Sequence, residues 1–574
     1  MINKFWQFVN FNYRSTSLRY CLGFLCTTVF LMADASHATN YYIKRSTGQN
    51  SNGGIDTSAP WFSTLAFQGK IFLVPGDSLL FRRGEEFPMD PLFIARHIKL
   101  QATKAKPIVI GAWGSGNVRP RLTTNNGRLI VLENVANVTI ENLSLSGARW
   151  GCIEMVDSLP RSIRVLNNEL SGCGGGIYAG GTDIEIYKNT IHDMKMVVNT
   201  PGAPGSPQAN DDYGASGIGL SQLNGCRVHE NTLYNLFATS FDYGEDGGGF
   251  EFWRTVRNCD IFRNFVKHSD GFMEMGGTKG DSVVNVNIHH NISLESGEFA
   301  CFHQFSPQTS YGISYRNLAV DHNLSLNKQV DPGFHIIVSG DTLKDPTQIT
   351  VRNNIFASVK ISSYVYQEGV SGGRRMPGTF QNNILWSPNN PGLKNYLQSP
   401  SEIFADPKFI LSNWYVKDTL PNNLGFYKLS SSSPAIGSAV LLKIGTLVPT
   451  TYQRDFNWNL TVQNGRAEIG PFSYIPPAPT ALPTSNSTPT SLSISTSTTA
   501  KGVVSLMVSS DRQSVVDVSV FDPLGHLLLD LGTWSLPEGM SQRSVSIPER
   551  HLAAIVRFQE KGYPSRAFLL PSHP

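Results

Sequence analysis

The sequence predicts an all-β fold built as a solenoid, a parallel β-helix, and three observations support this. A short pattern recurs along the middle of the chain. Two mostly apolar residues flank a single residue, and an asparagine stands three positions after the second of them. The asparagines of successive copies are separated by 21, 42, 33, 27, 32, 31 and 29 residues. Charged residues make up only 16% of the chain and glycine occurs 52 times, which is typical of turn-rich β structure. Such self-similarity indicates coils that bury their apolar faces by stacking on one another.

The recurring asparagines have a mechanical explanation. They are Asn168, Asn189, Asn231, Asn264, Asn291, Asn323, Asn354 and Asn383. Asparagine tolerates the left-handed backbone conformation at a tight corner, and stacked side-chain amides can hydrogen-bond along the axis of a solenoid. We therefore expect all eight to be structural rather than catalytic. A β-propeller is the competing repeat fold, but its blades need about four strands in ~40–45 residues and carry a different signature.

Segments on both sides of the repeats carry a family resemblance. PGDSLLFRRG (residues 75–84) and KPIVIGAWGSG (residues 106–116) precede the repeats, whereas DPKF (406–409), SPAIG (433–437) and IGPF (469–472) follow them. These segments resemble the first and last coils of secreted right-handed parallel β-helix proteins of the pectate-lyase-like superfamily. The resemblance implies a right-handed parallel β-helix over residues 39–475, and it specifies the architecture better than the reaction.

The N-terminus predicts export. Lys4, Arg14 and Arg19 precede an apolar run from Cys21 to Met32, which is followed by small residues up to Ala38. This order is typical of a secretory signal peptide over residues 1–38, and about twelve apolar residues are too few to span a bilayer. We therefore expect a secreted or surface-displayed protein without a transmembrane span. A net charge of +3 without a basic run argues against nucleic acid as a partner.

The cysteines predict no disulfide framework. Those beyond the signal peptide are Cys152, Cys173, Cys226, Cys259 and Cys301. An odd and sparse set in a large exported protein is not typical of a disulfide-stabilised scaffold. Cys226 and Cys259 open equivalent repeats, so we expect them to stack as buried thiols. Their spacing does not match a zinc site.

The C-terminal region predicts a separate domain. Residues 476–500 are rich in Pro, Ser and Thr, which is typical of a linker. Residues 501–574 show strand-turn-strand patterning and predict a small β-sandwich. Its outline is similar to the C-terminal sorting domains of type IX secretion, which implies secretion machinery or the cell surface as a partner. The chain departs from that pattern by ending in LLPSHP, and a carbohydrate-binding module is the alternative.

Two glutamates in matching apolar frames are the main candidates for chemistry. Glu251 stands between Phe250 and Phe252, and Glu274 stands between two methionines. Alternate side chains of a strand point to opposite faces, so both glutamates face outward if their neighbours face the core. On successive coils they would be roughly 4.8 Å apart at the backbone. Like charges directly opposite each other destabilise a sheet, so such a pair favours a cation, a shared proton or a reaction.

Three functions fit these carboxylates. Glycoside hydrolysis uses one carboxyl group as an acid and another as nucleophile or base. In β-elimination from a uronate polysaccharide, a base such as Lys267 or His268 removes a proton while a cation neutralises the carboxylate. Hard oxygen ligands for Ca²⁺ would then come from the glutamates with Asp242, Glu245 and Asp246. The third function is a non-catalytic glycan-binding or adhesin-like solenoid.

Further side chains are candidates for the same site. His335 alternates with Phe334 and Ile336, so we expect it on the outer face as an additional catalytic residue. The substrate-binding candidates are Trp253, Arg254, Tyr243, Tyr213 and His303, of which the aromatic residues could stack on sugar rings. The long excursion from Asp193 to Ser216 is predicted to form a wall beside the Glu251 coil.

The resemblance and the residues together predict a secreted polysaccharide-degrading enzyme. The PGD segment and the asparagine corners resemble those of uronate-cleaving bacterial proteins and favour a lyase that acts by β-elimination. The paired glutamates favour the alternative, a glycoside hydrolase. A polysaccharide is the expected partner in either case, and Ca²⁺ is the expected cofactor if there is one.

Overall fold

The structure is a computed structural model. It describes residues 38–66, 72–89, 92–94, 98, 101–125, 127–202, 211–242, 244–303, 312–328, 333–339, 349–367, 378–416, 420, 422–442, 449–462 and 465–474, and seven strands beyond residue 491. Residues 1–37 of the predicted signal peptide and the candidate Tyr243 lie outside the described residues. In the described part, no helix is both long enough and apolar enough to cross a membrane.

The predicted parallel β-helix is confirmed. Each coil passes through up to three strand positions, and equivalent strands of successive coils pair in parallel. Sheet one contains β4 (Leu92–Phe93), β7 (Ile130–Glu133), β10 (Gly151–Val156), β13 (Gly175–Tyr187), β17 (Ser216–His229), β21 (Gly248–Phe262), β23 (Met273–Gly276), β26 (Ala300–His303), β29 (Gly333–Ser339) and β32 (Ile361–Gln367). The long strands β13, β17 and β21 continue from sheet one into sheet two.

The other two sheets complete the coils. The strands of sheet two are β1 (Asn40–Ile43), β2 (Ser78–Arg82), β5 (Ile108–Trp113), β8 (Val138–Glu141), β11 (Arg161–Leu166), β24 (Ser282–His289), β27 (Ser314–Asp321), β30 (Ile349–Arg352) and β33 (Thr379–Gln381). Sheet three contains β3 (Glu86–Pro88), β6 (Arg121–Thr123), β9 (Ser144–Ser146), β12 (Glu169–Ser171), β14 (Thr190–His192), β18 (Thr232–Leu236), β22 (Phe265–Ser269), β25 (Ile292–Leu294), β28 (Leu324–Asn327), β31 (Ile355–Ser358), β34 (Ile384–Trp386) and β35 (Ile403–Phe404).

Short elements complete this part of the chain. Two antiparallel hairpins precede strands of sheet one, β15 (Met196–Val198) with β16 (Tyr213–Gly214) and β19 (Ala238–Ser240) with β20 (Gly244–Asp246). Short 3₁₀-helices span Thr64–Ala66, Pro391–Tyr396, Trp414–Val416, Leu424–Tyr427 and Thr450–Gln453.

The interior of the coils is a set of apolar stacks. In sheet one the register aligns Ile153, Ile177, Ile218, Phe250 and Met273 on consecutive coils, and each is at most 1% exposed. Burial of each such side chain stabilises the fold by roughly 1.5–3 kcal/mol. Because inward and outward residues alternate, this stack determines which side chains of sheet one face outward.

The predicted asparagine ladder is confirmed, but its backbone conformation is not the expected one. The eight asparagines lie buried at the corner between sheets two and three. The Nδ2 atom of Asn264, for example, donates to Asn291 Oδ1 at 3.0 Å and to the Val228 carbonyl at 2.9 Å. The left-handed conformation belongs to the residue before each asparagine, such as Arg263 with φ 54°. The corner turns at that preceding residue, which leaves the asparagine side chain free to point inward.

The expectation of unpaired cysteines is wrong. Cys152 of β10 and Cys173 form a disulfide with an S–S distance of 2.04 Å, and Cys226 and Cys259, in register on neighbouring strands, form a second one. Cys301, the remaining described cysteine, is buried and belongs to neither disulfide. The odd count arises because two pairs join neighbouring coils and one cysteine is left over.

The remaining residues group into a second unit. The first unit ends at Tyr452 and also includes Val462–Pro471, whereas the second contains Gln453–Thr461 and the chain from Phe472 onward. In the second unit β36 (Leu492–Thr499), β37 (Val503–Ser510) and β40 (Gly539–Ser546) form one antiparallel sheet. Strands β38 (Ser514–Phe521), β39 (Leu527–Leu536), β41 (Ala554–Glu560) and β42 (Arg566–Leu570) form another. β36 begins at Leu492, within the stretch 476–500 that the sequence predicts to be a linker.

Candidate active site

The glutamate pair lies as the sequence predicts. Glu251 of β21 is the direct register partner of Glu274 of β23, on the next coil. The flanking Phe250, Phe252 and Met273 are at most 1% exposed, so both glutamates point away from the core. Parallel strands are about 4.8 Å apart, so two carboxyl groups emerge side by side from neighbouring coils.

The register partners of Glu251 on the preceding coils also face outward, so the glutamate pair is part of a longer row of outward positions. The register continues from Glu251 back through Gly219 and Tyr178 to Glu154, each on its own strand of sheet one. At Gly219 a side chain would clash, because an added Cβ would lie 2.7 Å from Cδ1 of Tyr178. The tyrosine ring therefore covers the glycine. Glycine at this position gives Tyr178 the space to lie between Glu154 and Glu251.

Glu251 is a carboxyl group with a strongly raised pKa. Burial raises its pKa to about 8, and the negative charges of Glu274 and Asp246 act in the same direction. The Ser216 hydroxyl donates a hydrogen bond to Glu251 Oε1, which acts in the opposite direction. Burial raises the pKa of the neighbouring Tyr178, and the charge of Glu251 acts in the same direction. Glu251 is therefore mostly protonated at neutral pH, as a general acid requires.

Glu274 has a different environment. Its side chain is 47% exposed, and its Oε1 lies 2.7 Å from Nε2 of His303. An ionised carboxylate only accepts hydrogen bonds, so Nε2 of His303 carries the proton in this contact. The Tyr315 hydroxyl donates to the His303 carbonyl at 3.1 Å and fixes that backbone. The structure thus brings His303, a predicted substrate-binding residue, to the second glutamate instead.

Three further carboxyl groups adjoin the pair. Burial raises the pKa of Asp246 to about 6, of Asp270 to about 7 and of Glu298 to about 8, and the charge of Glu274 raises all three. Asp270 and Glu298 were not among the residues predicted from the sequence. The available signal was an acidic residue shortly before each of three consecutive strands of sheet one, at Asp246, Asp270 and Glu298. We call these three residues, with Glu251 and Glu274, the acidic face.

The two hairpins beside β17 and β21 are joined to each other. Asn199 donates to the Thr239 carbonyl at 2.7 Å and accepts from the Phe241 backbone N–H at 2.9 Å. The Asp242 carboxylate accepts from the backbone N–H groups of Asp211 and Asp212 at 2.7 and 3.0 Å. This region contains the predicted wall, although residues 203–210 of the excursion lie outside the described residues.

The acidic residues that converge in the structure differ in part from the predicted metal ligands. Among the described residues, Asp211, Asp212 and Asp242 offer oxygen atoms within 4.8 Å of one another and could hold a metal ion. Oδ1 of Asp211 is buried and has no hydrogen-bond partner, so it is available to coordinate a metal ion. The predicted partners Glu245 and Asp246 do not join this group, because they stand on β20 beyond the turn that contains Asp242.

Aromatic residues precede or follow the outward positions along the strands of sheet one. Tyr213 stacks on Trp150 with ring centroids 5.6 Å apart, and the Arg149 guanidinium lies 5.2 Å from the Trp150 ring. Trp253 is two residues beyond Glu251 on the same strand and is half-buried. Arg254 has a positive φ of 66° at the irregularity that follows. Sugar rings stack on such aromatic faces.

Three predicted catalytic residues lie elsewhere. The expectation that His335 faces outward is wrong: it is fully buried, with its ring 5.2 Å from that of Phe356. On this strand Phe334, rather than His335, is the partly exposed residue, so inward and outward positions do not alternate as predicted. Lys267 and His268 belong to β22 of sheet three, where Lys267 donates to the Leu420 carbonyl at 3.0 Å and His268 contacts Asn235 at 3.2 Å. Neither stands on the strands that carry the glutamate pair.

Comparisons with known proteins give partial similarity. No protein-family model matches the chain. A lacto-N-biosidase of Bifidobacterium longum is 28% identical over 215 residues, which is 36% of this chain and 12% of that protein. The chain therefore spans about an eighth of the length of the curated relative that it matches.

Solved structures of parallel β-helix enzymes are similar at low identity. The pectate lyase Pel9A shares 14% identity with a TM-score of 0.48, over 76% of this chain and 97% of that one. An alginate lyase from Paenibacillus shares 16% identity with a TM-score of 0.36, over 54% and 97%. A lacto-N-biosidase from Eubacterium ramulus shares 14% identity with a TM-score of 0.35, over 64% and 67%. Similarity at this level does not determine the reaction of this chain.

Proposed function

We propose that this protein is a polysaccharide-degrading glycoside hydrolase whose general acid is Glu251 and whose nucleophile is Glu274. The observation that supports this most strongly is the register of the two glutamates combined with their unequal environments. One carboxyl group holds its proton up to about pH 8, whereas its neighbour is open to solvent and bonded to a histidine. In glycosidases with two carboxyl groups in such unequal environments, the protonated group acts as the acid and the ionised group as the nucleophile.

The proposed reaction proceeds in two steps. The Glu251 carboxyl donates its proton to the glycosidic oxygen while Glu274 attacks the anomeric carbon, so the bond to the leaving sugar breaks as an ester to Glu274 forms. Water then attacks the ester, and the ionised Glu251 accepts the proton of that water. His303 orients Glu274 through its Nε2–H and stabilises the carboxylate before attack and after its release.

The positions of the basic residues support hydrolysis over elimination. Elimination needs a base beside the sugar carboxylate, together with a cation that neutralises it. The predicted bases Lys267 and His268 stand on sheet three, and the oxygen atoms that converge for a cation belong to the hairpins rather than to the glutamate pair. The similarity to a lacto-N-biosidase over 215 residues also supports a glycosidase.

The test is to incubate the full chain with a panel of neutral and acidic polysaccharides. We expect new reducing ends without the ultraviolet absorbance of an unsaturated uronate, and we expect Glu274→Gln to abolish them. The control variant Glu86→Gln removes an exposed carboxylate on β3 and should leave the rate unchanged. Unsaturated products would establish elimination, and binding without cleavage would establish the adhesin alternative.

We further propose that Asp211, Asp212 and Asp242 bind Ca²⁺ and that the ion stabilises the paired hairpins. The donor set consists of hard carboxylate oxygens, which Ca²⁺ prefers. The expected result is that Ca²⁺ raises the melting temperature of the protein and that Asp211→Asn removes this effect. An equal effect of Ca²⁺ in the variant would contradict the assignment.

We also propose that the chain is exported and that its C-terminal unit attaches it to the cell surface or engages secretion machinery. The N-terminal basic and apolar segments support export, as do two disulfides, which persist in oxidising compartments. The expected result is surface or medium localisation with a mature N-terminus at Thr39, detected by fractionation and N-terminal sequencing. Retention in the cytoplasm would contradict the proposal.

A further inference from the structure

We infer that the acidic face selects an uncharged glycan and rejects polyuronates. The inference rests on the proposed function, because it assigns the substrate class of the same site. Its basis is the geometry of five carboxyl groups on three consecutive coils of sheet one. It runs against the expectation of a uronate substrate that the sequence favoured.

The carboxyl groups form one surface. Glu251 and Glu274 are register partners, and Asp270 lies shortly before β23, the strand that carries Glu274. Glu298 reaches back from the next coil: an added Cβ on Gly271 would lie 2.8 Å from its Oε1. A sugar ring bound between Glu251 and Glu274 would therefore have Glu298 and Asp270 alongside it.

This surface has little opposing positive charge. Within the described part of the chain, no lysine or arginine forms an ion pair with any member of the acidic face, and His303 is the basic side chain recorded in contact with it. The charged neighbours that raise the pKa of Asp270 and Glu298 are all carboxylates. At neutral pH Glu251 and Glu298 are mostly protonated, whereas Asp246, with a pKa of about 6, is mostly ionised. A bound uronate would bring a further negative charge close to Asp246 in this partly desolvated surface, where repulsion is stronger than in water.

The acidic groups are also spread out rather than gathered around a cation. Among the described residues, the acidic oxygens that approach within 4.8 Å as a group of three belong to Asp211, Asp212 and Asp242, none of which is in the acidic face.

The outward row offers binding groups that suit a neutral sugar. Beyond Gly219 lie the half-buried ring of Tyr178 and the carboxyl of Glu154, which is 8% exposed. Oε2 of Glu154 lies 3.5 Å from Nε of Arg128, whereas its Oε1 has no hydrogen-bond partner. A buried acceptor without a partner is costly, and a sugar hydroxyl would satisfy it. The stacked Trp150 and Tyr213 rings provide an apolar face beside it.

Binding to matched polymers tests the inference. The full-length protein is titrated with several neutral polysaccharides and with the C6-carboxylated form of each, at low and at high salt, with Ca²⁺ or with a chelator. We expect at least about tenfold tighter binding of one neutral polymer than of its carboxylated form, and a difference that shrinks as salt screens the charges. Measured at about pH 9, where Asp270 and Glu298 are mostly ionised, the double variant Asp270→Asn/Glu298→Gln should narrow the affinity difference several-fold, whereas the control Asp56→Asn/Glu86→Gln, with both changes at exposed positions, should not.

The outcomes separate this inference from the proposed function. Glu274-dependent reducing ends from a polyuronate would leave hydrolysis standing and overturn the inference. Selective binding of a neutral polymer without cleavage would support the inference and overturn hydrolysis. Polyuronate binding that appears only with Ca²⁺ would overturn the inference, and so would equal binding of each pair or no binding to any neutral polymer.

Discussion

Replacing Glu251 with glutamine tests the assignment of the general acid. With a pKa of about 8, this carboxyl is about 90% protonated at pH 7, whereas an ordinary glutamate is protonated well below about 1%. Wild-type activity should therefore fall as the pH rises through about 8, because the proton needed by the leaving group is lost. Glutamine keeps the shape of the side chain but donates no proton to the leaving oxygen. General acid catalysis contributes about 10²- to 10⁴-fold, so Glu251→Gln should lose about 3–5 kcal/mol of transition-state stabilisation.

The assay is a pH–rate profile measured on a natural glycan and on a glycoside with an activated leaving group. Glu251→Gln should remove the alkaline limb near pH 8, and its loss should be much smaller on the activated glycoside, which leaves without protonation. Glu86→Gln, on an exposed strand, is the matched control and should reproduce the wild-type profile. A variant that retains the alkaline limb, or that loses less than about tenfold on the natural glycan, would refute the role of Glu251.

Three further predictions concern the support of this site and of the solenoid. Ser216→Ala removes a hydrogen bond that lowers the pKa of the general acid, so the alkaline limb should move to higher pH; a shift to lower pH would contradict the network. Asn264→Ala leaves buried partners unsatisfied and should cost roughly 3–5 kcal/mol in urea unfolding, whereas Asn285→Gly, in an exposed asparagine ladder, should cost less than about 1 kcal/mol. Replacing Cys152 and Cys173 with alanine opens a loop of 21 residues and should cost about 3 kcal/mol; an unchanged unfolding midpoint would argue against that bond.

The sequence predicts the architecture and the glutamate pair for a common reason. A repeat with alternating apolar residues determines which side chains face inward, and the recurring asparagines mark equivalent corners of the coils and so determine the register between them. The apolar neighbours of Glu251 and Glu274 therefore fix both the outward orientation and the register of the two glutamates. The same rule fails at His335, because alternation is out of phase on that strand and the histidine packs against Phe356 in the core.

Other features depend on contacts that a linear pattern does not encode. Asp270 and Glu298 join the site because the chain re-enters sheet one at corners, where no period marks which side chain points outward. Lys267 is close to Glu274 in sequence, but the corner after Arg263 places it on another sheet. The disulfide of Cys152 and Cys173 joins two coils outside the repeat pattern, so their spacing gave no indication of it.

The stereochemistry of the first product tests the central claim most directly. Carboxyl groups roughly 5–5.5 Å apart retain the anomeric configuration, whereas a wider pair inverts it. Glu251 and Glu274 emerge from adjacent strands, so proton NMR of an early time point should show the product with the configuration of the substrate. An inverted product would contradict direct attack by the second glutamate, and an unsaturated sugar would contradict hydrolysis itself.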